Sequence, residues 1–338
     1  MACALNVQGL CVFVAGNTAA PLLFFSPGAA GQPLAVDFTV PFQADFLVAW
    51  YDPCGVGASL GCPLRPTWTK LVQDADVALS ATLRAYGRTW FAAAGWSGGC
   101  FLAIRLAEQR ADRLFFTLLI SPVVDFPRAE PHTWRCLSRR MRWPVALVQR
   151  VPDAIQRFWQ YMLCGNFCAQ TSPLVAIHRC AHFPQSDLST LWRASLQRNR
   201  VVREYKQQRL LAALNDTPVV VLHGIHDEIA PYVHVRDISY LRWALQTTRL
   251  HTFAAPNASH FVRYESPSAV QQTVRRCAQI TLPCLGRQHN YSINETKLGL
   301  RSVARSATGA HARNDSITSA TDGNICNPTP YVHAQADG

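Results

Sequence analysis

Residues 91–110 constrain the fold of this chain more than any other stretch. Phe91-Ala92-Ala93-Ala94 is a short apolar run of strand character, Gly95-Trp96-Ser97-Gly98-Gly99 follows, and Cys100 to Arg110 then carries apolar residues at helical spacing. A chain that passes from strand to helix within one pentapeptide holds the central residue in a strained conformation and lifts its side chain clear of the sheet. The turn crowds its flanks, which accounts for Gly95 and Gly99. The helix start also brings backbone N–H groups and a partial positive charge beside Ser97. The pentapeptide by itself fits an ordinary glycine-rich turn as well. The strand before it and the helix after it make Ser97 a candidate nucleophile.

The same alternation extends over the first 125 residues. Leu10–Ala15, Leu22–Phe25, Phe46–Tyr51, Trp90–Ala94 and Phe115–Ile120 read as strands, and Thr69–Tyr86 reads as a helix. Strands alternating with helices predict an α/β fold: a mostly parallel central sheet with helices on both faces. The rhythm then changes. Between 126 and 214 no strand stands out, and Trp134, Trp143, Trp159 and Trp192 lie among arginines in helical patterns broken by Pro131, Pro144, Pro152, Pro173 and Pro184. This segment is expected to be an inserted helical cap. Strand character returns at Pro218–His223 and Arg249–Phe253, and an amphipathic helix is expected over Ser268–Gln279. The expected division is a core of residues 1–125 and 215–285, a cap of 126–214, and a polar, disordered tail of 286–338.

Two further positions complete a chemical set. Val219-Val220-Val221-Leu222-His223-Gly224 ends in glycine, and Asp227 follows three residues later, where open α/β sheets gather their sites. Asp227 is the candidate acid. A loop aspartate can equally cap a turn, and Asp125, after the strand Phe115–Ile120, is a second candidate. Ala258-Ser259-His260 lies in the loop after the strand Arg249–Phe253. His260 is the candidate general base, able to take a serine proton and return it to a leaving group. With 11 histidines in the chain, its weight comes from order: Ser97, Asp227, His260.

On these residues the chain resembles the α/β-hydrolase superfamily over roughly residues 10–285, and within it the proline iminopeptidase-like and epoxide-hydrolase-like branch with a helical cap. Tyr51-Asp52-Pro53-Cys54-Gly55-Val56-Gly57-Ala58-Ser59 is similar to that branch's D-x-R-G-x-G-x-S segment, without the arginine. The resemblance implies an oxyanion hole built from the N–H of Gly98 and one from the loop after Phe25. That loop reads Ser26-Pro27-Gly28-Ala29 where His-Gly is usual. Proline has no N–H, so Gly28 or Ala29 is the expected donor.

Composition bounds the rest. Hydrophobic residues make up 49 % and charged residues 16 %, which supports a large globular core. No apolar run reaches the ~20 residues of a membrane span. The N-terminus has no basic leader, and a cytoplasmic protein is expected. The 12 cysteines are scattered and are expected to be mostly buried thiols, Cys100 among them. Cys164, Cys168, His178, Cys180 and His182 fit no common zinc spacing, so no metal and no cofactor are expected. No nucleic-acid-binding module is recognisable.

From Arg128 to Arg209 there are 14 basic side chains against four acidic, so nearly all of the net charge of +11 belongs to the cap. That balance disfavours recognition of a free amino terminus and suits an anionic small-molecule substrate, although exposed arginines on cap helices would give the same count. The expected function is hydrolysis of a small-molecule ester or amide through an acyl-serine. The alternatives are a proline iminopeptidase-like aminopeptidase, lyase or acyl-transfer chemistry on the same triad, and a non-catalytic binding protein on the same fold.

Overall fold

Eight short strands form one sheet: β1 (Cys3–Val7), β2 (Leu10–Gly16), β3 (Leu22–Ser26), β4 (Leu47–Tyr51), β5 (Phe91–Trp96), β6 (Leu114–Ile120), β7 (Val219–Gly224) and β8 (Leu250–Ala255). Their order is β1-β2-β4-β3-β5-β6-β7-β8. The β1–β2 and β2–β4 pairs are antiparallel, and every other pair is parallel. The structure is a computed structural model that describes residues 3–27, 39–55, 57–59, 67–123, 214, 217–227, 230, 236, 238–260 and 262–281. The cap expected over 126–214 lies outside the described residues except for Leu214. So do Gly28, Ala29, Asp125, Glu228, the cysteine–histidine cluster and the tail.

Burial follows strand position. β3, β4, β6 and β7 are buried at every residue, as continuous apolar strands covered on both faces must be. β2 and β8 alternate between buried and more exposed positions, as strands nearer the sheet edge do. Successive side chains therefore divide into two cores. Leu22, Phe24, Ala49, Tyr51, Ala93 and Val221 face one side, against helices α1 (Trp68–Ala85) and α2 (Gly99–Gln109). Leu23, Phe25, Val48, Trp50, Ala94 and Leu222 face the other. There they meet Val270, Val274 and Cys277 of a helix spanning 267–281, hereafter α5.

Among the described residues between β7 and α5 are the helices α3 (Ile238–Leu245) and the short α4 (Val262–Glu265). The Thr67 hydroxyl caps α1 by accepting the Lys70 N–H at 3.1 Å. Arg110, at the end of α2, donates to both carboxylate oxygens of Asp76 on α1 and to the Ser80 hydroxyl. This pairing fixes α2, which starts at the candidate nucleophile. The parallel strands β3 to β8 all end at one edge of the sheet. Ser26, Ser97, Asp227 and His260 belong to that edge or to the loops leaving it.

Candidate active site

Ser97 stands between the end of β5 and the start of α2, with φ at +53°. A left-handed conformation costs a residue with a Cβ about 1–2 kcal/mol. The surroundings impose it. The Ser97 N–H donates to the Ile120 carbonyl at 2.9 Å, while the Ser97 carbonyl accepts from Cys100 N–H and so opens the helix. A Cβ on Gly95 would lie 2.4 Å from the Gly99 carbonyl oxygen, and one on Gly99 would lie 2.4 Å from that of Pro27. Neither approach is open to a larger residue. Cys100 is buried on α2, its thiol donating toward the Gly95 carbonyl at 3.2 Å, and burial pushes its pKa far up. It therefore acts as a helix residue of the elbow and stays protonated.

Asp227 and His260 come together across 33 residues. Oδ2 of Asp227 is 2.8 Å from Nδ1 of His260, and both side chains are buried. A carboxylate only accepts, so Nδ1 carries the proton and Nε2 keeps a lone pair, the tautomer a general base requires. Oδ1 accepts the Ala230 N–H at 2.7 Å. Turn-capping and orientation of the histidine, which compete for Asp227 in the sequence, thus share its two oxygens. Gly224 permits the meeting: a Cβ there would lie 2.2 Å from the Ser259 carbonyl oxygen. Only glycine lets the acid loop and the histidine loop pass that closely.

Three residues with no part in the sequence-derived site support it. His223 is fully buried, with Nε2 2.6 Å from the Ala230 carbonyl and 3.4 Å from Asp227 Oδ2. The carbonyl can only accept, so Nε2 is the protonated nitrogen, and it braces the turn that holds Asp227. Trp96 donates its indole N–H to the His260 carbonyl at 3.1 Å, and the two rings lie 5.4 Å apart. The Glu265 carboxylate accepts both the N–H and, at 2.9 Å, the hydroxyl of Ser259. Burial raises the Glu265 pKa to about 7 against the lowering effect of the Ser259 bond. Trp96 inside the pentapeptide and Glu265 five residues after His260 were the signals in the sequence.

The loop after β3 runs beside the elbow. Ser26 is the register partner of Gly95, and the Pro27 carbonyl faces Gly99. Of the three candidate oxyanion donors, Gly98 is described, buried at the head of α2. After β4, Asp52 is buried, and its Oδ2 accepts the Ala58 N–H at 2.8 Å. Where the resembling segment has arginine this chain has Pro53-Cys54, and no ion pair to Asp52 is found among the described residues. Burial raises the Asp52 pKa to about 6. Cys54 is disulfide-bonded; Cys11, Cys100 and Cys277 are not. Among the described residues, no group of three or more His, Cys, Asp or Glu side chains is arranged to hold a metal. No helix among them is long and apolar enough to cross a membrane.

No protein-family model matches the chain, and no curated protein matches it in sequence. Solved structures do match in shape. A 2-hydroxy-6-oxo-6-phenylhexa-2,4-dienoate hydrolase from Rhodococcus sp. strain RHA1 superposes with a TM-score of 0.62 at 15 % identity, over 82 % of this chain and 99 % of that one. The chain has the α/β-hydrolase fold. A thermophilic esterase from Thermogutta terrifontis gives a TM-score of 0.55 at 19 % identity, over 82 % of this chain and 97 % of its own. A proline iminopeptidase-related protein from Thermus thermophilus gives 0.53 at 17 %, over 84 % and 98 %. In the α/β-hydrolase fold the nucleophile sits on the strand-to-helix elbow, with acid and histidine following in chain order. In this chain Ser97 follows β5, Asp227 follows β7 and His260 lies in the loop after β8.

Proposed function

We propose that the protein is a serine hydrolase that cleaves an ester or amide of a small molecule through an acyl-Ser97 intermediate. The hydrogen bond between Asp227 and His260, at the sheet edge where Ser97 is held in a left-handed turn, carries this reading. His260 Nε2 takes the Ser97 proton as the hydroxyl attacks the carbonyl, and returns it to the leaving group. Water then enters by the same route and releases the acid. Asp227 stabilises the imidazolium that forms in each half-reaction. The N–H groups of Gly98 and of Gly28 or Ala29 hold the tetrahedral oxyanion, each worth on the order of 10²–10³ in rate.

The solved structures of similar shape include a hydrolase of a dienoate and an esterase, which supports the reaction class. For the substrate, the 14 basic against four acidic side chains between Arg128 and Arg209 favour a carboxylate-bearing or otherwise anionic molecule over a free amino terminus. Turnover of p-nitrophenyl esters and anilides graded in chain length and charge tests both parts. Wild-type turnover that is lost in Ser97→Ala, and faster for anionic than for cationic members, is the expected outcome. No turnover of any member, together with tight retention of a small molecule, would instead make the protein a binding module on the same fold.

A further inference from the structure

The histidine proposed as base stands on a loop, and a loop alone does not hold an imidazole to the few tenths of an ångström that proton transfer needs. Its Nδ1 bond to Asp227 fixes the ring's tautomer and one direction in space. Two other contacts reach the backbone that carries the ring. The indole N–H of Trp96 bonds the His260 carbonyl at 3.1 Å. Trp96 adjoins Ser97, so this bond ties the base directly to the nucleophile's own elbow, across 164 residues of sequence. On the other flank, Glu265 takes the N–H of Ser259 on one carboxylate oxygen and its hydroxyl on the other. Ser259 and His260 are both buried and Trp96 and Glu265 half-buried, so these bonds are partly withdrawn from competing water.

Resting on the triad reading above, we propose that Trp96 and Glu265 are positioning residues, a two-point mount that sets His260 in register with Ser97. Trp96 fixes the loop from the β5 side and Glu265 from the α4 side. A purely structural role is the alternative, and the two differ in where the effect appears. A mount acts through His260, so its loss lowers kcat and leaves KM in place. Once His260 is gone, losing the mount has nothing further to cost.

The test uses Trp96→Phe, which keeps a ring and removes the N–H, and Glu265→Gln, which keeps the volume and presents an amide where a carboxylate accepted two bonds. Each is made in the wild-type and in the His260→Ala background. Kinetics are measured on an activated ester, with Ser97→Ala in the same assay. The expected result is a kcat lower by about 10- to 10²-fold in each single variant, the scale of a small misplacement of a reacting group, with KM within about twofold. No further loss of the residual rate is expected in the His260→Ala background. Wild-type kcat in both variants, or an additional loss in that background, would overturn the proposal. A raised KM at unchanged kcat in Trp96→Phe would make that residue a substrate contact and overturn its part. If Ser97→Ala and His260→Ala keep wild-type turnover, the triad reading falls and the mount with it; if only they lose turnover, the mount falls alone. Should Glu265→Gln fail to fold by circular dichroism, Trp96→Phe decides by the same two measurements.

Discussion

Asp227 and His260 share a 2.8 Å hydrogen bond between two side chains withdrawn from solvent, while the second oxygen of Asp227 is held by the N–H of Ala230. The carboxylate is therefore fixed at both ends before it orients the imidazole. Asp227→Asn keeps a carbonyl oxygen able to accept the Ala230 N–H, but its amide N–H₂ confronts the histidine and favours the wrong tautomer. The expected result is a fold close to wild type by circular dichroism and a kcat lower by about 10³–10⁴, the scale seen when a triad aspartate is made neutral. Steady-state kinetics on an activated ester check it.

Ser97 is held in a strained backbone conformation. At φ of +53° a residue with a Cβ is unfavourable, whereas glycine adopts that conformation freely. Ser97→Gly is expected to be inactive yet more stable than Ser97→Ala by about 1 kcal/mol. Chemical denaturation of the two variants side by side measures that difference.

Gly224 governs the approach of the two loops that carry Asp227 and His260. A methyl group there would meet the Ser259 carbonyl oxygen at 2.2 Å and that of Ala258 at 2.4 Å. Gly224→Ala is expected to destabilise the protein by about 1–3 kcal/mol, the usual cost of overpacking. It should also lower kcat by more than that instability explains, because the shift falls on the residues just before His260. Melting temperature and kcat, measured on the same preparation below its transition, separate the two effects.

Asp52 and Glu265 have folded-state pKa values raised by burial, to about 6 and about 7. The folded chain therefore holds these protons more tightly than the unfolded chain, whose carboxylates titrate near their ordinary values of about 4. Their contribution to stability is fully present below pH ~4 and is lost as pH rises through the folded values. Asp52→Asn and Glu265→Gln remove that loss. Each variant is expected to show a smaller fall in melting temperature between pH 5 and pH 8 than the wild type. Thermal scans across that range check the sign.

The parallel strands and the elbow were legible in the sequence because fully buried strands leave apolar runs such as Val219–Leu222 and, broken only by Thr117, Phe115–Ile120. Ser97, Asp227 and His260 were legible for a different reason: each follows a strand end, and chain order supplies what a lone histidine lacks. β1 was not legible as a separate strand, since Cys3–Val7 pairs only along one edge with β2 and is just five residues long. Nor was α3, eight residues with Ile238 and Trp243 exposed. The supporting contact of Trp96 was hidden because it joins residues by geometry. Trp96 and the carbonyl it bonds are 164 positions apart, and no local pattern encodes such a meeting.

The central claim is that Ser97 is an activated nucleophile. Intact-mass measurement after treatment with a fluorophosphonate reads it directly. The predicted result is a single adduct on the wild-type protein, mapped by peptide digestion to Ser97, with no adduct on Ser97→Ala and strongly slowed labelling of His260→Ala. Equal labelling of wild type and Ser97→Ala, or an adduct mapped to another residue, would contradict it.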